Sequence, residues 1–406
     1  MVGFIIIMKL YTYNIGIESN LSYAHTMRQL MSEVQKVGNQ KVEWYYGNYG
    51  IPVNGVVDKG YYNVIDGTVE KPSYYPVELE KYIGKVGADA VFMHDDPQRC
   101  VWFNRLKNIP AIYWIPWDNE DWDFRGPYDV LNTCGMITTV AKFAQEKLLS
   151  QHIECNQIYN PIDTSAYKPN EAQRVDIRKQ CKIPDDGVVL TWVGRPNWRK
   201  RPDLLIEVFS RALKRNPNLY LLLHTDFNND PATSFSWKEY LYARDLLGSE
   251  RVIWPNANMN YAVGVSQEEM NGMYNATDIY FSTHGGEGHG LPISEAQSCS
   301  KPFIATDTTT TQEFADYDDR EGDMIGKRGI GVKVKHVFDD GGIKRPYPDL
   351  DDFVNKLDIL IKDENLRKEM GKNGRKFVQK EVDKRVVGYK WKHLLNKLNV
   401  ESIEIA

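Results

Sequence analysis

Short apolar runs alternate with amphipathic stretches along the whole chain, and the alternation restarts midway. In the first half, Phe4–Tyr13, Val42–Tyr46, Ala88–Met93, Ala111–Ile115 and Met136–Thr139 read as strands. Helical patterns lie between them, over 22–37 and 77–83. A second series begins near Val188. Strands are expected at 188–193, 218–223, 252–254, 279–282 and 302–305, and helices at 203–213, 267–274 and 292–298. From Leu350 the tail reads as helix, with Lys-rich faces that suit solvent. Strand–helix alternation of this kind predicts mostly parallel sheets covered on both faces.

A chain of 406 residues, 42% hydrophobic, exceeds one ordinary core, so two α/β domains are expected. The joint is read near the Pro-, Asp- and Asn-rich stretch 160–170. The boundaries are set at 1–168 and 169–387, with a C-terminal helix, 388–406, returning to the first domain. Ligands of open parallel sheets bind outside the carboxyl ends of the strands. Two such domains facing each other across a cleft would serve a two-substrate enzyme.

Net charge of −5 argues against a protein whose main task is gripping nucleic acid. The five cysteines, at 100, 134, 155, 181 and 299, show neither a disulfide framework nor a zinc-site spacing, which fits a reducing interior. The apolar start is far shorter than the ~20 residues that span a bilayer, and it lacks signal-peptide features. It is read as a buried strand, with Met8 as an alternative start. A cytoplasmic protein with at most peripheral membrane contact is expected.

Two stretches carry chemistry. The first runs from His284 to Ala296, after the strand 279–282: His-Gly-Gly-Glu-Gly-His-Gly-Leu-Pro-Ile-Ser-Glu-Ala. Glycines admit close approach of backbone to a ligand. Pro292 suits the first turn of a helix, whose free amides attract phosphate or sugar oxygens. The carboxylates of Glu287 and Glu295 can accept hydrogen bonds from sugar hydroxyls. The second stretch is Val193-Gly-Arg-Pro-Asn-Trp-Arg-Lys-Arg-Pro-Asp203, in which a strand runs into a loop dense in cations and then into a helix. Such a loop can neutralise a diphosphate. The alternatives are a helix entry with two solvated acids and a basic surface loop.

Glu287-x7-Glu295, set within Glu-Gly-x-Gly-Leu-Pro-x-x-Glu-Ala, resembles the signature of family four of the retaining glycosyltransferases, which have the GT-B fold. The resemblance covers about residues 135–395 and is specific over 190–313. It implies that Glu287 contacts hydroxyls of the donor sugar and that Glu295 binds the ribose. Gly194, Arg195 and Lys200 match the family's diphosphate-binding segment. Arg201 stands where that segment has Gly and is a candidate to share the role of Lys200. Gly288, His289, Gly290 and Leu291 complete the donor loop. Gly16 stands where the family approaches the donor phosphate. The family's acceptor-side His has no counterpart: Pro116 occupies its place, and Asp118 is offered as a substitute. His94-Asp95-Asp96-Pro97 resembles another family segment. Trp102, Tyr113, Trp114, Trp117, Trp122 and Phe124 form either a sugar platform or core, core being favoured.

The implied activity is transfer of a hexose from a UDP- or GDP-sugar to a glycan, lipid or protein-linked hydroxyl. Retention would come from same-face attack, with the departing phosphate taking the acceptor proton. Arg195, Lys200 and the amides of 288–291 would stabilise the leaving group. No metal and no other cofactor is expected. Asp121-Trp122-Asp123 matches a metal-binding Asp-x-Asp only nominally. A nucleotide-sugar epimerase of similar fold and a non-catalytic nucleotide-sugar or glycan-binding protein remain as alternatives.

Overall fold

The computed structural model describes residues 7–15, 22–37, 41–49, 56–65, 76–96, 100, 109–120, 131–226, 235–255 and 264–404. The chain forms two compact units. One comprises Met1–Trp117, Phe124–Pro161 and Glu381–Ala406; the other comprises Asp118–Asp123 and Ile162–Lys380. The joints thus fall at 161/162 and 380/381 rather than at 168/169 and 387/388. The Asp118 segment goes with the second unit, not the first.

In the first unit the strands are β1 (Ile7–Ile15), β2 (Lys41–Tyr49), β3 (Val56–Asp58), β4 (Asn63–Ile65), β5 (Ala90–Met93), β6 (Ala111–Ile115), β7 (Met136–Thr139) and β8 (Asn156–Gln157). Their order in the sheet is β3-β4-β2-β1-β5-β6-β7-β8. The pairs are parallel except β3 with β4. Strands β5 and β6 are buried at every position, which is why they read as unbroken apolar runs. The helices are α1 (Ser22–Lys36), α2 (Pro76–Val86) and α3 (Lys142–Ser150).

The second unit contains β9 (Val188–Val193), β10 (Leu219–His224), β11 (Val252–Ile253), β12 (Ile279–Ser282), β13 (Phe303–Thr306) and β14 (Gly329–Val332). They are parallel, in the order β11-β10-β9-β12-β13-β14. This is the dinucleotide-fold order, with its switch point between β9 and β12. The helices are α4 (Glu171–Gln180), α5 (Pro202–Arg215), α6 (Trp237–Tyr242), α7 (Gln267–Ala276), α8 (Leu291–Ser298), α9 (Thr311–Ala315), α10 (Leu350–Lys362) and α11 (Glu364–Phe377). An antiparallel hairpin, β15 (Val334–Asp339) and β16 (Lys344–Pro348), follows β14. Helix α5 presents Leu204, Leu205, Val208, Phe209 and Ala212 to the sheet, the apolar stripe of an amphipathic helix. Helix α7 starts on a capping box made by Ser266 and Glu269.

The last helix, α12 (Lys384–Glu404), belongs to the first unit. Val387, Trp391 and Leu395 enter the core of Leu30, Trp44, Phe92 and Trp114. Gly388 lies flat on α1, where a Cβ would overlap Glu33. Among the described residues no helix is long and apolar enough to cross a membrane.

Candidate active site

The switch point brings two loops together at the carboxyl ends of β9 and β12. The first, after Val193, is wound into a 3-10 turn at Trp198–Lys200. Asn197 caps that turn by accepting the Lys200 amide at 3.0 Å. The turn sets Arg199 and Lys200 side by side. The two loops are sewn by backbone. The Gly285 amide donates to the Arg199 carbonyl at 2.7 Å, and the Thr283 hydroxyl donates to the Arg201 carbonyl at 2.7 Å.

Glu287 is the centre of the cluster. It is 7% exposed; Lys200 Nζ donates to its Oε1, and Arg199 Nη1 reaches its Oε2 at 3.0 Å. Its own amide donates to the Thr309 hydroxyl at 2.9 Å. Burial pushes the Glu287 carboxyl up, but Lys200 and Arg199 outweigh it and hold the group well below the usual carboxylate range. Burial also pulls Lys200 below the ordinary ammonium range, against the pull of Glu287. Nearby His284 is fully buried, with Nδ1 2.9 Å from the Ser282 hydroxyl, and burial lowers it to about 4, so it is neutral at pH 7.

Arg201 does not join Lys200. Its backbone is left-handed, φ 49° and ψ 54°, a conformation that glycine adopts without strain. Its guanidinium turns to Asp203, at 2.9 and 2.6 Å, and lies 4.9 Å from the Tyr347 ring centroid. Arg195 stands half-buried at the opening of the same loop, five positions before Lys200.

Gly290, at φ 76°, opens α8, which starts without a side-chain cap. Gly288 is buried and Leu291 half-buried. His289 is packed into the unit, Nε2 3.0 Å from the Ser294 hydroxyl and edge-on to Phe314. One turn further, Glu295 accepts the Tyr274 hydroxyl at 2.6 Å. Burial beneath Tyr274 and Tyr167 raises Glu295 to about 7, although both phenols favour the carboxylate.

Asp118, expected on the acceptor side, is instead the shared partner of two arginines. Its Oδ2 lies 3.0 Å from Arg199 Nε and its Oδ1 3.4 Å from Arg345 Nη1. The carbonyl of Asp118 accepts from Arg345 Nη1 at 2.7 Å. Two residues on, the Glu120 carboxylate accepts the Thr309 amide at 2.9 Å and the Thr308 hydroxyl at 2.7 Å.

In the first unit, His94 follows the buried β5, its Nδ1 2.8 Å from the Trp114 carbonyl, and burial lowers it to about 4. Tyr113, Trp114 and Trp117 are fully buried, so they are core. Gly16, Trp102, Asp121, Trp122, Asp123 and Phe124 lie outside the described residues. Among the described residues no group of three or more His, Cys, Asp or Glu is placed to hold a metal ion.

Sequence reasoning missed Arg199, Arg345, Tyr167 and Tyr274. Arg199 stands in the basic triplet, but the family spacing falls on its neighbour Lys200. Nothing in the sequence marks Arg345, 58 positions beyond Glu287.

Residues 173–322 match the family described as Glycosyl transferases group 1. The Bacillus subtilis (strain 168) protein YtcC is 24% identical over 263 residues, which are 62% of this chain and 57% of that protein. The match thus spans little more than half of that relative. Sucrose-phosphate synthase from Thermosynechococcus elongatus superposes on 97% of this chain and 100% of its own, with a TM-score of 0.74 at 16% identity. Anabaena Alr3699/HepE, solved in complex with UDP-glucose, covers 96% of this chain and 100% of its own, with a TM-score of 0.67 at 12% identity. Residues 173–322 therefore match a glycosyltransferase group 1 domain, and the two parallel-sheet, Rossmann-like units have the GT-B fold of these structures.

Proposed function

We propose that this protein is a retaining glycosyltransferase that moves a hexose from a UDP- or GDP-sugar to a hydroxyl acceptor on a glycan, lipid or protein, without a metal. The observation that carries the reading is the pairing of Lys200 and Arg199 with Glu287 at the switch point, on the loop that leads into α8 and Glu295. Glu287, shared by both cations, and Asp118, on Arg199, balance the charge of the pair. An arriving diphosphate offers them a stronger partner, because charge-assisted contacts to phosphate are short and directional. That exchange frees the Glu287 carboxylate to accept hydrogen bonds from the sugar. Arg195 lies on the same loop and would join the diphosphate contacts, as would the first amides of α8.

Charge grows on the leaving diphosphate in the transition state, and preorganised cations in a half-buried cluster stabilise it most. Glu295, on the second turn of α8, would hold the ribose. A homologous fold that binds UDP-glucose, in Alr3699/HepE, supports a uridine donor among the candidates. Same-face attack on the sugar, with the departing phosphate as base, needs no protein nucleophile. That suits a Glu287 held by two cations.

Thermal unfolding with UDP, GDP, ADP and their sugar conjugates tests the donor site. A nucleotide at ~100 times its dissociation constant stabilises the native state by about 2.7 kcal/mol. One base should give the shift, and Glu295→Ala should abolish it. No shift with any nucleotide would overturn the reading. The anomeric configuration of the product, read by NMR after an acceptor screen, then tests retention. Conversion of the donor sugar without an acceptor would mark an epimerase.

A further inference from the structure

The hairpin β15–β16 is largely exposed along β15, yet β16 delivers Arg345 into the protein at 6% exposure. Its backbone lies directly on the donor loop. A Cβ on Gly285 would come within 3.2 Å of the Pro346 carbonyl, and one on Gly286 would overlap the Asp118 carbonyl. The hairpin is also pinned to the basic loop, because the Arg201 guanidinium lies over the rings of Tyr347 and Phe338. From Arg345 an alternating line of charges runs inward: Arg345 to Asp118, Asp118 to Arg199, Arg199 to Glu287. Each carboxylate oxygen of Asp118 faces a different arginine.

We propose that Arg345 is a positioning residue: it clamps Asp118 by carbonyl and carboxylate, and Asp118 in turn orients the Arg199 guanidinium for a diphosphate. Burying an arginine is costly unless it is paired and hydrogen-bonded. Its hydrogen bond and its shorter ion pair go to Asp118, which touches the cluster; Asp340, in the hairpin turn, lies farther off, at 4.0 Å from Nε. A guanidinium has a fixed fork, so an error in its orientation weakens a phosphate contact even where the charge is kept. The inference rests on the donor-site reading only for the identity of the anion.

The test compares inorganic pyrophosphate with the nucleoside diphosphates, by calorimetry, on wild type and on Asp118→Asn, Arg345→Met, Arg345→Lys and the double variant. Asp118→Asn gives the decisive sign. It removes a negative charge next to the anion, so a cluster acting through net charge alone would bind pyrophosphate more tightly. Positioning predicts the opposite, a loss of about tenfold. Arg345→Met should lose as much, Arg345→Lys should recover part, and the double variant should be no worse than Arg345→Met, since contacts in one chain do not add. Tighter binding by Asp118→Asn, or multiplied losses in the double variant, would overturn the proposal. So would unchanged binding by Arg345→Met. Unfolding curves of each variant separate these effects from loss of fold. Binding of pyrophosphate but no nucleotide would sink the donor reading and leave the clamp to be judged on pyrophosphate. Binding of neither would sink both.

Discussion

At the scale of single residues, the two motif glutamates are in opposite electrostatic states. Glu287 is held ionised by Lys200 and Arg199, whereas burial raises Glu295, beside Tyr274 and Tyr167, to about 7. The native state of the free protein thus favours the neutral form of Glu295. That contribution to stability is fully present below its unfolded value near 4.5 and is lost as pH rises through about 7. Ribose hydroxyls are donors, so they need the carboxylate, and the sign reverses for binding. Nucleotide affinity should fall about tenfold between pH 8 and pH 6, with a proton released on binding near pH 6.5. Calorimetry in buffers of different ionisation enthalpy measures this. Glu295→Gln should leave only the titration of the nucleotide's own phosphates. An identical pH profile in wild type and variant would refute the ribose contact.

Arg201 shows how a sequence departure can be structural rather than chemical. It occupies a left-handed position and spends its charge on Asp203 and Tyr347. Glycine there would relieve about 1 kcal/mol of backbone strain and forfeit a partly buried ion pair and a ring contact of similar size. Arg201→Gly should therefore change stability by less than about 1 kcal/mol and keep most of the activity. Lys200→Met should cost about 10²–10³ in kcat, as loss of a preorganised donor does. Denaturant titration and initial rates on both variants check the contrast. A large activity loss in Arg201→Gly would return a phosphate role to that side chain.

At the scale of elements, the donor loop depends on one missing side chain. Gly286 has φ 138°, and a Cβ there would strike backbone, the Asp118 carbonyl, which cannot swing aside. Gly286→Ala should destabilise the second unit by about 1–3 kcal/mol and displace Asp118 from its arginines. Gly341→Ala in the hairpin turn has φ 63° but open space around it. It should cost only the local strain, about 1 kcal/mol, and leave pyrophosphate binding unchanged. Equal effects on binding would show that the Gly286 contact is incidental.

The same elements show what the sequence could and could not reveal. Strands β6, β7, β9 and β12 are legible to the residue, because buried parallel strands are short runs of mostly apolar and β-branched residues bounded by polar turns. The β15–β16 hairpin is not. Strand β15 is exposed, β16 begins with Lys344 and Arg345, and prolines 346 and 348 argue against a strand. Only Asp340-Gly341-Gly342 marks a turn. Lys200, Glu287 and Glu295 could be named from local motifs. Arg345 and Asp118 reach the cluster through tertiary packing across 227 positions, which no local pattern encodes.

At the scale of the whole molecule, the chain leaves the first unit at Pro161 and returns to it at Glu381. The fold of the first unit is therefore completed by residues that follow the second unit in sequence. Trp391 carries that closure. It is fully buried, 4.9 Å from the Phe92 ring and 5.3 Å from the Trp114 ring, in a core separate from that of the second unit. Trp391→Ala should cost about 3–5 kcal/mol, on the order of 10 °C for a unit of this size. Hydrogen-exchange protection should fall in β5 and β6. Protection in β9 and β12 should hold, and so should binding of pyrophosphate, because Arg199, Lys200 and Glu287 all belong to the second unit. Two unfolding transitions that separate in the variant would establish the units as independent folding bodies. A single transition that falls as one, with binding lost in parallel, would mean that the two cores melt together and that the C-terminal helix stabilises the donor site as well as its own unit.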